Sequence, residues 1–102
     1  MENLKNIREF LEKIISSQDN IAERIVNCIN SQGILNKASD IHFIPKKEKV
    51  SIKYRIDGAL HFVAEIPINF YEGIIVKTKV MSNLLVYRQD IPQEGNIVFK
   101  EK

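Results

Sequence analysis

Leu4, Ile7, Leu11, Ile14 and Ile15 recur at steps of three and four, with Lys5, Arg8, Glu9, Glu12 and Lys13 between them. That spacing puts the apolar residues on one stripe of a helix and predicts a helix over residues 3–16. The polar run Ser16-Ser17-Gln18-Asp19-Asn20 breaks the pattern. Asp19 or Asn20 is suited to capping a second helix, because a side-chain oxygen accepts the free amide hydrogens of a first turn. That helix carries Ile21, Ile25, Cys28 and Ile29 on one face. Gly33 either ends it near residue 32 or lies inside it, allowing close packing while the helix runs to about residue 36; the longer form is preferred.

The period then changes from 3.6 to 2. Ile41 and Phe43 alternate with Asp40 and His42 over residues 40–44. Over residues 50–56, Val50, Ile52, Tyr54 and Ile56 alternate with Ser51, Lys53 and Arg55. Over residues 59–66, Leu60, Phe62, Ala64 and Ile66 are expected inward and His61, Val63 and Glu65 outward. Strict alternation marks strands with one covered face. Asp57-Gly58 suits a two-residue type I′ turn, which needs positive φ at both positions. Residues 45–49 form a looser, lysine-rich loop, so the three strands make an antiparallel meander.

Helical spacing returns over residues 69–84, where Phe70, Ile74, Val80, Met81 and Leu84 share a side and Lys77 lies at its edge with room to snorkel. Residues 85–95 read as irregular, with Pro92 and Gly95. Ile97-Val98-Phe99 open a fourth strand, whose sheet edge needs a partner or cover, so further chain is expected after Lys102. The expected fold class is α+β: N-terminal helices, then an antiparallel meander with helices packed on one face. The expected organisation is an N-terminal helix over 1–17 and an α+β domain over 18–102.

Composition narrows the classes. The 102 residues are 44% hydrophobic and 27% charged, with formal net charge +2. That is ordinary for a globular protein, and the charge makes no case for nucleic acid. A sheet that binds nucleic acid also needs exposed aromatics, whereas Tyr54 and Phe62 are expected in the core. No apolar run approaches the roughly 20 residues of a membrane span. One cysteine, Cys28, forms no internal disulfide, and a cytosolic protein with a structural cysteine is expected.

The polar face of the meander carries the candidate chemistry. His42, Lys53, Arg55 and His61 are expected together there, beside Ser51 and Glu65, as a solvated face or a polar interface for a partner domain or an anion. Arg55 stands out, since its planar guanidinium holds a carboxylate or phosphate at two points; with Asp57 two residues on, it equally suits a turn-stabilising role. His42 makes a poor metal ligand, with two histidines in the chain and no supporting carboxylate expected near it. Ser39, Asp40 and His42 are too close in sequence to converge as a nucleophile, base and orienting group, and no metal or catalytic set is expected. Ser39 and Asp40 suit the turn between helix and strand. The loop lysines Lys46, Lys47 and Lys49 read as solubilising.

Ala38-Ser39-Asp40-Ile41-His42-Phe43-Ile44-Pro45, Tyr54-Arg55-Ile56-Asp57-Gly58, Lys79-Val80-Met81 and Ile91-Pro92-Gln93-Glu94-Gly95 follow one another in this order. The set resembles the second N-terminal domain of the ATPases of type II secretion and type IV pilus assembly, over roughly residues 21–99. The resemblance implies a sheet somewhat like a sensory PAS domain. It implies a lever and subunit interface for a RecA-like motor domain, in cis or from a neighbour, in a hexamer that uses Mg-ATP. The motor's phosphate loop, Gly-x-x-x-x-Gly-Lys-[Ser/Thr], does not occur in these 102 residues, so no ATP hydrolysis is expected of this chain alone.

The resemblance also implies that His42, Lys53, Arg55, Asp57, Lys79 and Gln93 lie at the domain interface, and that Arg55 and Arg88 come near the nucleotide phosphates. Two arginines of the family pattern fall on Asp90 and Asn96; an aspartate there repels a phosphate, and Arg88 is the candidate to replace it. Ile44 stands where the family usually has an acidic residue. The implied location is cytoplasmic, peripheral to the inner membrane, with membrane contact only through the secretion machinery. A stand-alone PAS-like adaptor or small-ligand module is the alternative.

Overall fold

In the computed structural model, the backbone is described for residues 2–80, 84–89 and 96–101, and side chains for residues 4–77. The helix α1 (Glu2–Ser17) buries Leu4, Ile7, Leu11 and Ile14 along the expected stripe. Gln18 and Asn20 both take positive φ and turn the chain back into α2 (Ile21–Leu35). Asn20 occupies the capping position in the left-handed region, and its side chain makes no capping hydrogen bond. The expected side-chain cap therefore does not form at Asn20, whose carbonyl accepts the first intrahelical bond, from the Arg24 amide at 3.0 Å.

The strands are β1 (Asp40–Pro45), β2 (Lys49–Ile56) and β3 (Ala59–Pro67); a 3₁₀ turn (Ile68–Phe70) leads into α3 (Tyr71–Val80). Two more strands follow, β4 (Leu84–Gln89) and β5 (Asn96–Glu101). They complete a five-stranded sheet of order β3-β2-β1-β5-β4, antiparallel at every pairing. The α+β class and the meander stand as expected, and Asp57 and Gly58 take φ of 52° and 82° in the tight turn.

Two expectations are corrected. The third helix ends at Val80 instead of continuing to residue 84, and residues 85–89, expected to be irregular, belong to β4. Leu84-Leu85-Val86-Tyr87 has no alternation from which to read a strand; pairing with β5 makes it one. Residues 90–95, including Asp90 and Gln93, lie outside the described residues.

The α2 helix runs through Gly33, as the longer form requires. A β-carbon at Gly33 would stand 3.1 Å from Ile41 Cδ1 and 3.3 Å from Tyr54 Cε1, so the glycine brings α2 down onto β1 and β2. At that contact the fully buried Tyr54 donates its hydroxyl to the Ile29 carbonyl of α2 at 2.5 Å. Burial, with a lesser contribution from nearby Cys28, raises the phenol pKa, so Tyr54 stays a neutral donor. Tyr54→Phe keeps the ring and removes the bond. The expected loss is about 1 kcal/mol, read from the urea midpoint.

One core runs through the molecule, from Leu4, Ile7 and Leu11 of α1 to Ile25 and Ile29 of α2, the inward residues of β1–β3, and Ile74 of α3. The third strand departs from strict alternation. Ile52 pairs with Ala64 while its neighbour Lys53 pairs with Phe62, so Val63 is one extra residue on β3. Such a bulge exchanges the two faces of a strand beyond it. Val63 is consequently buried, and Leu60 and Phe62, expected inward, are 44% and 45% exposed. The α1 helix covers this bulge: Arg8 Nε donates to the Val63 carbonyl at 2.8 Å, and its guanidinium lies 5.6 Å from the Phe62 ring centroid.

Candidate functional site: a buried carboxylate on the polar face of the sheet

The register of β1, β2 and β3 builds the site. Asp40 stands opposite Arg55 and Arg55 opposite Leu60; one row along, His42 stands opposite Lys53 and Lys53 opposite Phe62. Directly paired residues share a face. His42, Lys53 and Arg55 are therefore brought together as expected. His61 is not: the bulge sets it opposite Tyr54, on the other face, and Leu60 and Phe62 take the place expected for it. The predicted solvated face is thus a charged centre bordered by Leu60, while Phe62, opposite Lys53 in register, lines a groove with Arg8, Leu11 and Ile15 of α1 and Ala64 of β3.

At its heart is a carboxylate that sequence reasoning assigned to a turn. The central strand β1 is flanked on both sides, and Asp40, His42 and Ser51 are buried. His42 Nε2 is in contact with Asp40 Oδ2. Ser39 Oγ donates to Asp40 Oδ1 at 2.8 Å, and Arg55 Nε lies 3.3 Å from the same carboxylate. Asp40 and His42 are two apart on one strand, and that period of two is the signal by which the pair was legible. The expectation that His42 lacks a carboxylate partner, and that Ser39, Asp40 and His42 stay apart, is corrected accordingly.

Burial raises the Asp40 pKa; hydrogen bonds from Ser39 and His42, the His42 charge and Arg55 outweigh it, and the carboxyl titrates below its ordinary value. The group is an anion held in place by three neighbours. Arg55 is equally committed: besides the carboxylate, its Nη1 donates to the Gly58 carbonyl at 3.1 Å. The guanidinium thus ties the Asp57-Gly58 turn to β1, and the Ser39 amide ties the entry to β1 to the Arg55 carbonyl at 2.9 Å.

The connectivity excludes nucleophilic catalysis by these residues. Ser39 and His42 both bond Asp40, whereas a serine nucleophile needs histidine between itself and the carboxylate. Among the described residues no group of three His, Cys, Asp or Glu side chains is placed to hold a metal. Asp57 lies exposed in the turn and Lys53 is half-buried beside Phe62. The side chains of Lys79 and Arg88 lie outside the described residues; by backbone, Lys79 is in α3 and Arg88 is paired with Ile97. No helix among the described residues is long and apolar enough to cross a membrane.

Residues 16–102 match the family model described as type II/IV secretion system protein. The chain belongs to that family. It is 30% identical over 99 residues, 97% of its length, to the type IV pilus assembly ATPase PilB of Myxococcus xanthus. It is 28% identical over 97 residues, 95% of its length, to the protein of that name from Thermus thermophilus. Against type II secretion system protein E of Xanthomonas campestris it is 30% identical over 77 residues, 76% of its length. The chain spans 17%, 11% and 14% of those three proteins.

Proposed function

We propose that this chain is a non-catalytic domain of a type II secretion or type IV pilus assembly ATPase, working as a lever and inter-subunit interface for a RecA-like motor domain. The observation that carries the reading is the polar sheet face. A buried ion network makes it stiff, and a bulge presents Leu60 beside Arg55 at its margin. Exposed apolar residues next to oriented cations are what a docked domain covers. His42 and Arg55 set the geometry of that interface from beneath; Lys53 and Asp57 stand at its surface, and Lys79 and Gln93 join it from the following segments.

The described residues do not fit Mg-ATP. Arg55, the arginine expected near the phosphates, already serves Asp40 and Gly58, and the one carboxylate at the site is buried among its partners. Nucleotide belongs to the motor domain, with Arg88 the remaining candidate from this chain. The assembled protein is a hexameric ATP hydrolase of the cytoplasm that reaches the inner membrane through its secretion or pilus machinery, and it has no role on nucleic acid. The alternative is a stand-alone PAS-like adaptor or small-ligand module related to the same family, which the family match accommodates equally.

The test is to mix the chain with the separately produced ATPase portion of a relative. Saturable binding is expected, weakened at least ten-fold by Leu60→Glu, and the chain alone turns over no ATP above blank. Binding indifferent to this exposed substitution would remove the interface from this face. Turnover by the chain alone would overturn the non-catalytic reading.

A further inference from the structure

A second surface lies apart from the sheet face, in the trough between α1 and α2. Phe10 is off the apolar stripe of α1 and 49% exposed. With Ile14 and Cys28 it forms the apolar floor of a trough of about 410 Å³. The charged residues lining it are Lys13 and Arg24; none is acidic. Arg24 is anchored at one end by its Nη1 donating to Ser17 Oγ at 2.6 Å, and neither cation has a carboxylate partner among the described residues. The amides of Asn27 and Gln32 complete the wall on α2.

We propose that this trough docks an acidic amphipathic helix of a partner protein. The α2 residues lining the trough run from Arg24 to Gln32, eight residues apart and about 12 Å along the axis. The trough thus spans about two turns and matches apolar anchors at i, i+3 or i+4, and i+7 of a docked helix. Uncompensated cations on an apolar trough call for carboxylates flanking those anchors. A second copy is a poor occupant, because a two-fold pairing of this face sets Lys13 and Arg24 against cations of the same kind. A small amphiphile is a poor one too: ligand pockets enclose most of their ligand, whereas this trough lies open along the two helices.

The probe is a synthetic 16-residue helical peptide with leucines at those anchor positions and glutamates beside them, set against a second peptide with lysines for the glutamates. Amide shifts of the labelled chain and anisotropy of the labelled peptide are the readouts. The glutamate peptide is expected to bind saturably, with shifts confined to the facing sides of α1 and α2. Arg24→Glu is expected to weaken it at least ten-fold and to admit the lysine peptide. Phe10→Ala, at a half-exposed position on the trough floor, is expected to weaken it several-fold. Equal binding of both peptides, shifts centred on the sheet face, or no shifts at millimolar peptide would each overturn the proposal. So would dodecanoate filling the trough where the glutamate peptide fails, or self-association through it.

Discussion

Asp40→Ala is expected to be among the most damaging single substitutions in the chain, lowering stability by about 2–4 kcal/mol because it strands the buried His42 ring without its hydrogen-bond partner and Arg55 without its counter-charge. The upper end of the range belongs to fully buried pairs, and Arg55 is only partly shielded, its side chain 37% exposed. Asp40→Asn, which keeps the shape, separates charge from packing. The folded carboxyl titrates below its ordinary 3.8, so on acidification the unfolded chain binds the proton first. The contribution of the charge is therefore complete above about pH 4, and is lost as the pH falls below that towards the folded value. Urea midpoints of the native chain and Asp40→Asn at neutral pH and on the acid side check both points. A difference that stays constant, or grows, below the ordinary carboxyl value would remove the ion network from the account. The same variant is expected to loosen the Asp57-Gly58 turn, because Arg55 loses one of the two groups that hold it, and faster amide exchange there is the readout.

Gly73→Val is expected to cost about 2–3 kcal/mol, the usual range of forced overpacking. A β-carbon at Gly73 would come within 2.8 Å of Ala22 Cβ, on the facing side of α2. An alanine methyl has no torsion by which to retreat, so α3 itself must move. Nearby, Lys77 Nζ lies 3.4 Å from Glu23 Oε2, with its ammonium turned outward as expected from its edge position. Both groups are largely exposed and add little; the close approach is set by the glycine. Gly73→Ala meets the same clash, relieved in part by the better helix propensity of alanine, worth about 1 kcal/mol. Calorimetry or urea denaturation of the two variants should rank them native, then Ala, then Val. A Gly73→Ala chain more stable than the native one would show that α2 and α3 have slack at this crossing.

Much of the fold is legible because local periodicity carries it. The 3–4 spacing of Leu4, Ile7, Leu11 and Ile14, the alternation through β2 and the Asp57-Gly58 turn each state their conformation within a few residues. Where the reading failed, the deciding interaction is distant. Leu60, Phe62, Ala64 and Ile66 alternate without interruption, and so do His61, Val63 and Glu65; nothing local reveals that one residue must be left out of the pairing. Registry against β2 and the cover supplied by Arg8 decide it. Leu84–Gln89 became a strand for a similar reason, since an edge element is defined by its partner.

The candidate site shows the same division. By itself the sequence determined which residues stand on strands and on which face of β1 and β2, because side-chain direction there follows a period of two. It also determined the family, through ordered motifs that survive without any geometry. Only the tertiary structure decided that Asp40 is the centre of a network, that Arg55 spends its guanidinium within the domain, and that Leu60 and Phe62 face outward. Those outcomes depend on strand register and on burial of the central strand, which arise from contacts many residues apart. Contacts at that range leave no periodic trace along the chain.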